Sequence, residues 1–475
     1  MPAREPGYAL GLGAYGGHTS CGLPRRSGFV AAVFPQKTPA NLICSCFPLP
    51  GRLPPFRFDR DGALAMDRLH VDTVIFGGGV TGLWTLDAVR RSGRSALLVE
   101  GHRLGAGQTI SSQGILHSGL KYSLAGVLTG AAREAREMPQ LWRRCLLGEA
   151  QPDLRRVTVS AEAFHLWGTQ SAASKLGLFG AQLGLQVTPR TVPRSEYPTV
   201  LQSCPGSVYR VDEQVLAPRS LVAALAAPHQ EVMLQLDPAT EVEFVLKAAG
   251  QVRQIRLHSA RFGRTLEVEP QAVVLTAGKG NALLRTRLGL DARAMQLRPL
   301  HYVLVRGELP EFHGHCIDFS KTRVSITSAR DAQGRMVWQI GGQISEDGVQ
   351  LDPETLIERT RLELAEVLPG LELAGTEWTT CRIDRAEGAT LGGSRPDSYR
   401  LLQEGNVLTA WPTKLVLAPQ VAQAVCAALP PATVSPLQPL LDALAAWPRP
   451  PVAQPAWEEL RRWVPVPAIP RRHAA

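Results

Sequence analysis

The 475-residue sequence contains no uninterrupted apolar run of about 18 residues, the length that a membrane-spanning helix needs. It has no run of lysines and arginines either, although its net charge is +9, so a nucleic-acid-binding surface is not indicated. No internal repeat is evident, which disfavours a repeat architecture. We therefore expect two or more globular domains with no transmembrane segment and no nucleic-acid partner, and contact with a membrane surface stays open.

The eight cysteines are scattered, and only Cys44 and Cys46 lie close together. Their spacing matches no metal-binding pattern, so the sequence predicts no metal site. Scattered cysteines in a long chain are typical of buried thiols in a reducing compartment. We expect a cytoplasmic location, with organellar targeting left open.

Residues 1–65 differ from the rest of the chain. They are rich in glycine, proline and arginine, carry seven basic and three acidic residues, and show no sustained periodicity. An organellar targeting peptide, a disordered extension and upstream sequence translated from a misplaced start are the three alternatives. Because Met66 lies shortly before the first strand pattern, we favour the misplaced start or simple disorder.

A regular pattern begins at Val71. Val71–Phe76 reads as a buried strand, Thr81–Arg91 as a helix and Ala96–Val99 as a second strand. Strands joined by a helix in this way run parallel and are buried on both faces.

Gly77, Gly79 and Gly82 form a Gly-x-Gly-x-x-Gly motif between that strand and helix. The first glycine allows a tight turn, the second lets backbone approach a pyrophosphate, and the third lets helix and strand pack closely. The helix start offers free N–H groups to phosphates. Glu100 closes the second strand, where an acid accepts hydrogen bonds from an adenosine ribose. The pattern predicts a dinucleotide-binding turn.

The stretch Gly105–Tyr122 is small, polar and glycine-rich, where a nicotinamide-binding domain continues into a regular helix. Its hydroxyls and amides suit the second half of a longer cofactor, so we predict FAD, bound tightly and without a covalent bond. Notable within it are Gln108-Thr109, Ser111-Ser112, Gly114 and His117-Ser118-Gly119, followed by Tyr122.

These residues resemble the flavin loop of the FAD-dependent glycerol-3-phosphate and L-2-hydroxyglutarate dehydrogenases, within the D-amino-acid oxidase superfamily. The resemblance extends in patches over residues 70–430, where Val273–Gly278, Thr376–Arg382 and Asn406–Ala428 match later elements. It implies that the helix start after Trp411-Pro412-Thr413-Lys414 faces the flavin pyrimidine ring, although the usual glycines are absent from this turn. A helix dipole and Lys414 would stabilise negative charge there.

The glycine motif and the resemblance together assign FAD contacts to sixteen positions. They are Gly77, Gly79, Val80, Thr81, Gly82, Glu100, Thr109, Ser111, Ser112, Gly114, Val242, Ala277, Gly278, Thr413, Lys414 and Leu415.

Three residues are candidates for chemistry. The resemblance places His117 beside the flavin, where it would accept a hydroxyl proton during hydride transfer. Arg382 resembles the arginine that grips the substrate's anionic group with two parallel hydrogen bonds. His301 is a second acid–base candidate, and Arg298 and Arg323 are weaker candidates in the same region; each also suits an ordinary structural or surface role.

The predicted fold is α/β, with a doubly wound Rossmann-like FAD domain and an inserted, mostly antiparallel β substrate domain. The FAD domain is discontinuous and comprises residues 66–150, 206–295 and 385–430. Residues 151–205 and 296–384 form the substrate domain, and 431–475 form a proline-rich tail.

The predicted function is oxidation of a small anionic 2-hydroxy acid or polyol phosphate by hydride transfer to FAD. Electrons then pass to a quinone, another carrier or oxygen. An amine or amino-acid oxidase on the same fold is the first alternative, and a non-catalytic FAD-binding or assembly protein is the second.

Overall fold

The computed structural model describes residues 68–117, 130–169, 189–259, 261–318, 321–433 and 437–465. The extension 1–65 and the loop residues Ser118 to Tyr122 lie outside the described residues, so the predictions made for them are not addressed further.

The described chain combines β-strands with α-helices in one mixed α/β structure, which confirms the α/β class. The strands are β1 (Arg68–Phe76), β2 (Ala96–Glu100), β3 (Val159–Ala161), β4 (Phe164–Trp167), β5 (Arg190–Thr191), β6 (Val208–Val211), β7 (Val215–Leu216), β8 (Met233–Gln235), β9 (Val242–Ala248), β10 (Gln251–Ser259), β11 (Arg264–Leu275), β12 (Met295–Gly307), β13 (Gly314–Asp318), β14 (Lys321–Arg330), β15 (Met336–Gly341), β16 (Glu377–Gly388), β17 (Arg400–Glu404), β18 (Val407–Trp411) and β19 (Val464–Pro465). The α-helices are α1 (Val80–Arg91), α2 (Gly130–Leu147), α3 (Pro218–Ala226), α4 (Asn281–Arg287), α5 (Gln343–Asp347), α6 (Pro353–Val367), α7 (Ala418–Ala428), α8 (Leu437–Leu444) and α9 (Ala456–Glu459).

The first sheet has eight strands among the described residues, in the order β17-β18-β11-β1-β2-β8, with β10 attached to β11 and β9 attached to β10. Four neighbouring pairs in its centre are parallel: β18–β11, β11–β1, β1–β2 and β2–β8. Val74 at the centre of β1 pairs with Val273 on one side and Leu97 on the other. All three side chains are fully buried, as expected for a parallel sheet covered on both faces.

Helices α1 and α7 cover one part of this sheet. Leu83 and Leu86 of α1 lie in the same buried cluster as Val421 and Val425 of α7. Each side chain of this size stabilises the fold by about 1.5–3 kcal/mol when fully buried, so this packing fixes the start of α1 against the end of β1.

The second sheet has nine strands within the described ranges, in the order β19-β16-β12-β15-β14-β13-β4-β6-β5. It is antiparallel except where β4 meets β13. Its longest ladder joins β12 to β16, from Met295 opposite Gly388 to Arg306 opposite Glu377. A separate core lies on this sheet and includes the fully buried Trp167, Trp338 and Trp378.

Some elements differ from the sequence prediction. The apolar patterns of Leu266–Val268 and Ala272–Gly278 each predict a strand, but the structure has one continuous strand, β11, because Pro270 takes a ladder position opposite Val71. The pattern of Leu415–Leu429 predicts a helix, which starts with a 3₁₀ turn, Leu415–Leu417, and becomes α-helical at Ala418.

The sheets also cross the predicted domain boundaries. β6 belongs to the second sheet, although residues 206–295 were expected in the FAD domain, and β16 continues to Gly388, past the boundary placed at 384/385. The boundaries remain a prediction. No helix of the described chain is both long enough and apolar enough to cross a membrane.

The proline-rich tail contacts both sheets. Arg449 donates from Nη1 to the carbonyl oxygen of Met233 at 2.7 Å, beside the first sheet. Further along, β19 pairs with β16 of the second sheet, and the guanidinium of Arg306 lies 4.0 Å from the ring centre of Trp463. The tail is therefore part of the packed structure.

Candidate active-site cavity

The glycine turn at the end of β1 packs closely against backbone. Gly77 has φ +103°, and a Cβ on it would lie 2.4 Å from Cα of Ala277. A Cβ on Gly82 would lie 1.8 Å from the carbonyl oxygen of Gly77, whereas one on Gly79 would meet only Thr109 Oγ1, at 3.2 Å. Packing therefore requires the first and third glycines, and the second leaves open the space before the α1 N-terminus.

Glu100 supports this turn from the end of β2. Its Oε2 accepts from Gly78 N at 2.6 Å, and its Oε1 accepts from His102 N at 2.9 Å. Each carboxylate oxygen has a further lone pair, so both can also accept from a ribose hydroxyl. Thr109 Oγ1 accepts from Val80 N at 3.1 Å, which joins the loop 105–117 to the first turn of α1.

Amide side chains hold the loop 105–117 against the second sheet. Gln113 donates from Nε2 to the carbonyl oxygens of Ser325, at 3.1 Å, and Gln339, at 3.0 Å. Gln339 in turn donates from its own Nε2 to the carbonyl oxygen of Ser111 at 2.8 Å. Gln108 Oε1 accepts from Ala386 N at 3.1 Å. The loop is thereby fixed between the two sheets.

The turn after β18 carries a strained residue. Thr413 has φ +64°, the only positive φ of a non-glycine residue in the described chain. Its Oγ1 donates to the carbonyl oxygen of Ser398 at 2.7 Å, which holds it in this conformation. Strain of this kind is typical of ligand-binding turns and costs about 1–3 kcal/mol. Thr413, Lys414 and Leu415 all face the cavity described next.

A cavity of about 810 Å³ lies between these loops and the second sheet. Of the nineteen site residues predicted from the sequence, all but Gly82, Val242, His301 and Arg382 line it. The glycine turn, the loop 105–117, the residues after β11 and the turn at Thr413 thus meet around one space, although they are distant in sequence.

Two of the four exceptions have structural positions. Gly82 packs against Gly77, as described above. Val242 begins β9 and is buried, and its carbonyl oxygen accepts from Arg287. The cavity wall nearest to it in sequence is formed instead by Asp237 and Pro238.

His301 and Arg382 are directly opposite one another on β12 and β16. Their strand neighbours Leu300, Tyr302 and Ile383 line the cavity. Because successive side chains on a strand point to opposite faces, His301 and Arg382 lie on the far face of the sheet. There His301 Nδ1 lies 3.2 Å from the carbonyl oxygen of Gly348, and Arg382 donates to that of Val349. Burial lowers the pKa of His301.

Three other arginines occupy or adjoin the cavity face: Arg298 on β12, Arg385 on β16 and Arg395 after β16. Arg385 and Arg395 line the cavity together with Glu346. Arg298 bridges Glu387, at 3.2 Å from Nη1 to Oε1, and Glu346, at 3.4 Å from Nη2 to Oε1. Arg385 Nη1 lies 3.2 Å from the same Glu346 oxygen. Arg298 and Arg385 thus share the carboxylates of Glu346 and Glu387, so the three arginines together have one positive charge in excess of these two carboxylates.

Arg395 supplies that excess. Among the residues that the structure describes, it forms no hydrogen bond and no ion pair, although its side chain is exposed in the cavity wall. Desolvation by the surrounding protein, and then repulsion from Arg298, lowers the pKa of Arg395. The same two causes lower the pKa of Arg385. A guanidinium that is exposed to a cavity and has no partner among the described residues is suited to bind an anion with two parallel hydrogen bonds.

His117 lies at another part of the wall, paired with a carboxylate. Its Nδ1 lies 3.3 Å from Oε2 of Glu213, whose side chain is 1% exposed. The ring of His315, on β13, is centred 5.7 Å from that of His117, and both histidines line the cavity. This grouping could not be predicted from the sequence, because His117 and His315 are 198 positions apart along the chain and Glu213 lies between them.

The cavity fits FAD on features of its own. Near Gly79, in front of the α1 N-terminus, the Thr109 hydroxyl is the only group that a Cβ would meet, and Glu100 offers ribose-accepting oxygens. Gly114 packs so closely that a Cβ on it would lie 1.9 Å from the carbonyl oxygen of Leu216. The residues that would hold FAD are those of the glycine turn, the loop 105–117 and the turn at Thr413.

Comparison with known proteins decides the family. A family model described as "FAD dependent oxidoreductase", DAO, matches residues 72–413. The chain belongs to this family. The predictions of FAD as cofactor and of an oxidoreductase enzyme are thereby confirmed.

A curated relative is the probable FAD-dependent oxidoreductase PA4991 of Pseudomonas aeruginosa, 38% identical over 403 residues, which cover 82% of this chain and 98% of that protein. Its crystal structure superposes with a TM-score of 0.67 at 34% identity, over 82% of this chain and 98% of that one.

Two more distant structures share the fold. Glycine oxidase from Geobacillus kaustophilus has a TM-score of 0.51 at 17% identity, over 78% of this chain and 98% of that one. Iminodiacetate oxidase from Chelativorans sp. BNC1 has a TM-score of 0.54 at 15% identity, over 77% of this chain and 98% of that one. The narrower resemblance to hydroxyglutarate and glycerol-phosphate dehydrogenases remains a prediction.

Proposed function

We propose that this DAO-family protein oxidises a C–H bond next to a hydroxyl group in a small substrate that carries a carboxylate. When bound, FAD supplies the acceptor for the hydride. The chain's own residues bind the anion, take up the hydroxyl proton and exclude water. The electron acceptor, whether a quinone, another carrier or oxygen, belongs to the same proposal.

The observation that carries this proposal is the unpaired Arg395 in the cavity wall, next to Arg385 and Arg298. A substrate carboxylate bound to Arg395 would balance the excess positive charge of the cluster. This position also supports a different assignment of the anion-binding role, from Arg382 to Arg395 and Arg385. A polyol phosphate carries the same kind of charge and remains within the proposal.

His117 is the group that we propose as proton acceptor. It lines the cavity, and the buried carboxylate of Glu213 beside Nδ1 holds the imidazole ring in place, so that its other nitrogen can take up the hydroxyl proton. Glu213 thus acts through His117 as a positioning residue. His301 lies on the opposite face of the sheet, so no role in this step is proposed for it.

An amino acid is a second candidate substrate, and the buried Glu213 is the observation that favours it. A buried carboxylate directly behind the cavity-lining His117 can attract a substrate ammonium group as well as hold His117. The arginine cluster would bind the carboxylate of an amino acid and of a hydroxy acid alike, so the two candidates differ only at the group being oxidised.

The test is anaerobic reduction of the purified, FAD-loaded protein. The panel of test compounds contains 2-hydroxy acids, glycerol phosphate and amino acids. We expect at least one member of it to reduce the flavin, which is measured as loss of the absorbance of oxidised flavin at about 450 nm. Each 2-hydroxy acid is compared with the amino acid of the same carbon skeleton under identical conditions. Full reduction by amino acids alone would replace the first candidate with the second.

A matched pair of variants tests the anion site. Arg395→Gln is expected to weaken substrate binding, measured as the substrate concentration for half-maximal flavin reduction, while His258→Gln on exposed β10 is expected to leave it unchanged. If no panel member reduces the flavin, or if Arg395→Gln binds the substrate as tightly as the unaltered protein, the proposal fails. An inert but yellow protein would favour the non-catalytic FAD-binding alternative.

A further inference from the structure

Three residues, two in the cavity wall and one buried behind it, have the composition and spacing of a metal site. The ligand atoms of His117, Glu213 and His315 all lie within 4.8 Å of one another. We propose that these three residues bind one divalent transition-metal ion of borderline softness, with Zn²⁺ as its representative. Two imidazoles and one carboxylate form an established ligand set for such ions.

The backbone sets the pairing of the first two ligands. Ile115 and Val215 form an antiparallel bridge, reinforced by hydrogen bonds from Leu116 N to the Gln214 carbonyl oxygen and from Leu216 N to the Gly114 carbonyl oxygen, both of 2.9 Å. Two residues further in this register, His117 lies opposite Glu213. Their contact therefore follows from main-chain geometry.

The third ligand, His315, lies on β13, between β14 and β4 in the second sheet. His315 on β13 pairs in register with Leu166 of β4, and its ring packs 4.3 Å from the ring of Phe164. β4 in turn pairs with β6, the strand that leads to Glu213. His315 lies within a strand, and Glu213 and His117 lie two residues from a backbone bridge, so little conformational entropy would be lost when an ion binds.

The distances suit a tetrahedral ion after a small adjustment. Bonds of about 2.0–2.1 Å in tetrahedral geometry place ligand atoms about 3.3 Å apart. His117 Nδ1 and Glu213 Oε2 already have this separation, 3.3 Å. The widest pair, at no more than 4.8 Å, requires a movement of about 1.5 Å, which is within the reach of a side-chain rotation.

One coordination position would remain open. His117 and His315 line the cavity, whereas Glu213 is buried behind them, so a bound ion faces the cavity with its fourth position. An anionic group or a water molecule would fill that position. A consequence, which rests on the proposed function, is that an ion bound through Nδ1 keeps the hydrogen of the neutral imidazole on Nε2, so His117 cannot accept a further proton and flavin reduction is inhibited.

The primary experiment is calorimetric titration of Zn²⁺ into FAD-loaded protein that has been treated with chelator and exchanged into metal-free buffer. We expect one strongly bound Zn²⁺ per chain. Glu213→Gln and His315→Gln should each weaken this binding at least about tenfold, because each removes a direct ligand. Zinc X-ray absorption of the complex should show two imidazole ligands at about 2.0–2.1 Å.

A surface pair elsewhere in the chain provides the matched control. His70 Nδ1 and Glu269 Oε2 are also 3.3 Å apart, but they lie on the protein surface. His70→Gln should therefore leave the Zn²⁺ affinity unchanged. The thermal midpoint and flavin absorbance of each variant show whether it is folded, and a second ligand variant, His117→Gln, replaces any that is not.

The proposal is overturned if the unaltered protein binds no stoichiometric Zn²⁺, or if the ligand variants bind it as tightly as the His70→Gln control. It is equally overturned if X-ray absorption shows fewer than two imidazoles. Because none of these measurements involves a substrate, they remain informative if the panel of hydroxy acids and amino acids fails to reduce the flavin.

Discussion

Arg382 and Arg385 lie on the same strand, β16, but on opposite faces of the second sheet. Arg385 lines the cavity and ion-pairs with Glu346, whereas Arg382 donates to the carbonyl oxygen of Val349 on the far face. An odd separation of three residues produces this result in any strand, since side chains alternate. Of the two, only Arg385 can contact a molecule in the cavity.

The two arginines therefore form a natural pair for mutation. Arg385→Gln should lower kcat/KM for the proposed carboxylate substrate by about 10- to 100-fold, because a hydrogen bond to a charged group contributes about 1.5–3 kcal/mol. Arg382→Gln should change it less than about threefold. Steady-state rates with the substrate identified by flavin reduction check this. Equal losses in both variants would show that the sheet face does not decide the role.

The resemblance indicated Arg382 because a resemblance compares positions along the sequence. Which face of the sheet a side chain occupies depends instead on how its strand is paired with the neighbouring strands. Register was not visible in the sequence: β16 pairs with β12 over twelve residue pairs, and only that ladder shows which side Leu300 and Ile383 take. Arg395, which follows the strand, carries no local signal at all. The anion-binding role that we propose for it depends on its position beside charged residues distant in the chain, such as Arg298 and Glu346.

The first half of the cofactor site was far easier to predict. The turn Gly77 to Gly82, Glu100 and the loop 105–117 depend on local rules: glycines where backbone approaches backbone, and an acid at a strand end. The glutamine contacts of that loop with β14 and β15 could not be foreseen, since they join residues more than 200 positions apart. Local constraints can be predicted from a single sequence, whereas contacts between residues distant in the chain cannot.

The glycine turn offers a prediction with two distinguishable outcomes. Gly82→Ala places a Cβ against the carbonyl oxygen of Gly77 and should destabilise the protein by about 1–3 kcal/mol, the usual cost of overpacking. Gly79→Ala meets only the rotatable Thr109 hydroxyl, so its stability should be nearly unchanged while FAD affinity falls. Chemical denaturation and fluorescence titration of the apoprotein with FAD measure the two effects. The reverse order of stabilities would refute the packing argument.

Gln113 provides a prediction about the loop 105–117. In Gln113→Glu, a carboxylate oxygen would face the carbonyl oxygens of Ser325 and Gln339, which now receive hydrogen bonds from Nε2. Each lost bond to a buried acceptor costs about 1–3 kcal/mol, so the loop should separate from the sheet. Amide hydrogen exchange should rise in residues 105–117.

Gln235→Glu is the control for this variant. Gln235 also donates from Nε2 to a carbonyl oxygen, that of His102 at 2.8 Å, but it does so in an exposed position where water can replace the bond. Its exchange pattern and FAD affinity should match those of the unaltered protein. Unchanged exchange in Gln113→Glu would show that other contacts suffice to hold the loop.

His313, at the start of β13, predicts a loss of stability in mild acid. Burial, and then repulsion from His165, lowers the pKa of His313 to about 4. An unfolded chain has a histidine pKa of about 6.5, so below that pH the unfolded state binds the proton more readily than the folded one. The free energy of unfolding should therefore fall between pH 6.5 and 4, by about 3 kcal/mol from this residue, and remain unaffected by it above pH 6.5.

His313→Asn is the variant that isolates this effect. The Asn oxygen can take the place of Nδ1, which now lies 3.5 Å from the backbone nitrogen of Ser328 and accepts its hydrogen bond. The free energy of unfolding is measured by chemical denaturation at several pH values between about 7.5 and about 4.5, a range that covers most of the interval between the two pKa values. Plotted against pH, this free energy should change less for His313→Asn than for the control His258→Asn, whose side chain is exposed on β10. Curves that stay parallel would mean that His313 becomes protonated without unfolding, and hence that its surroundings admit water in the folded state.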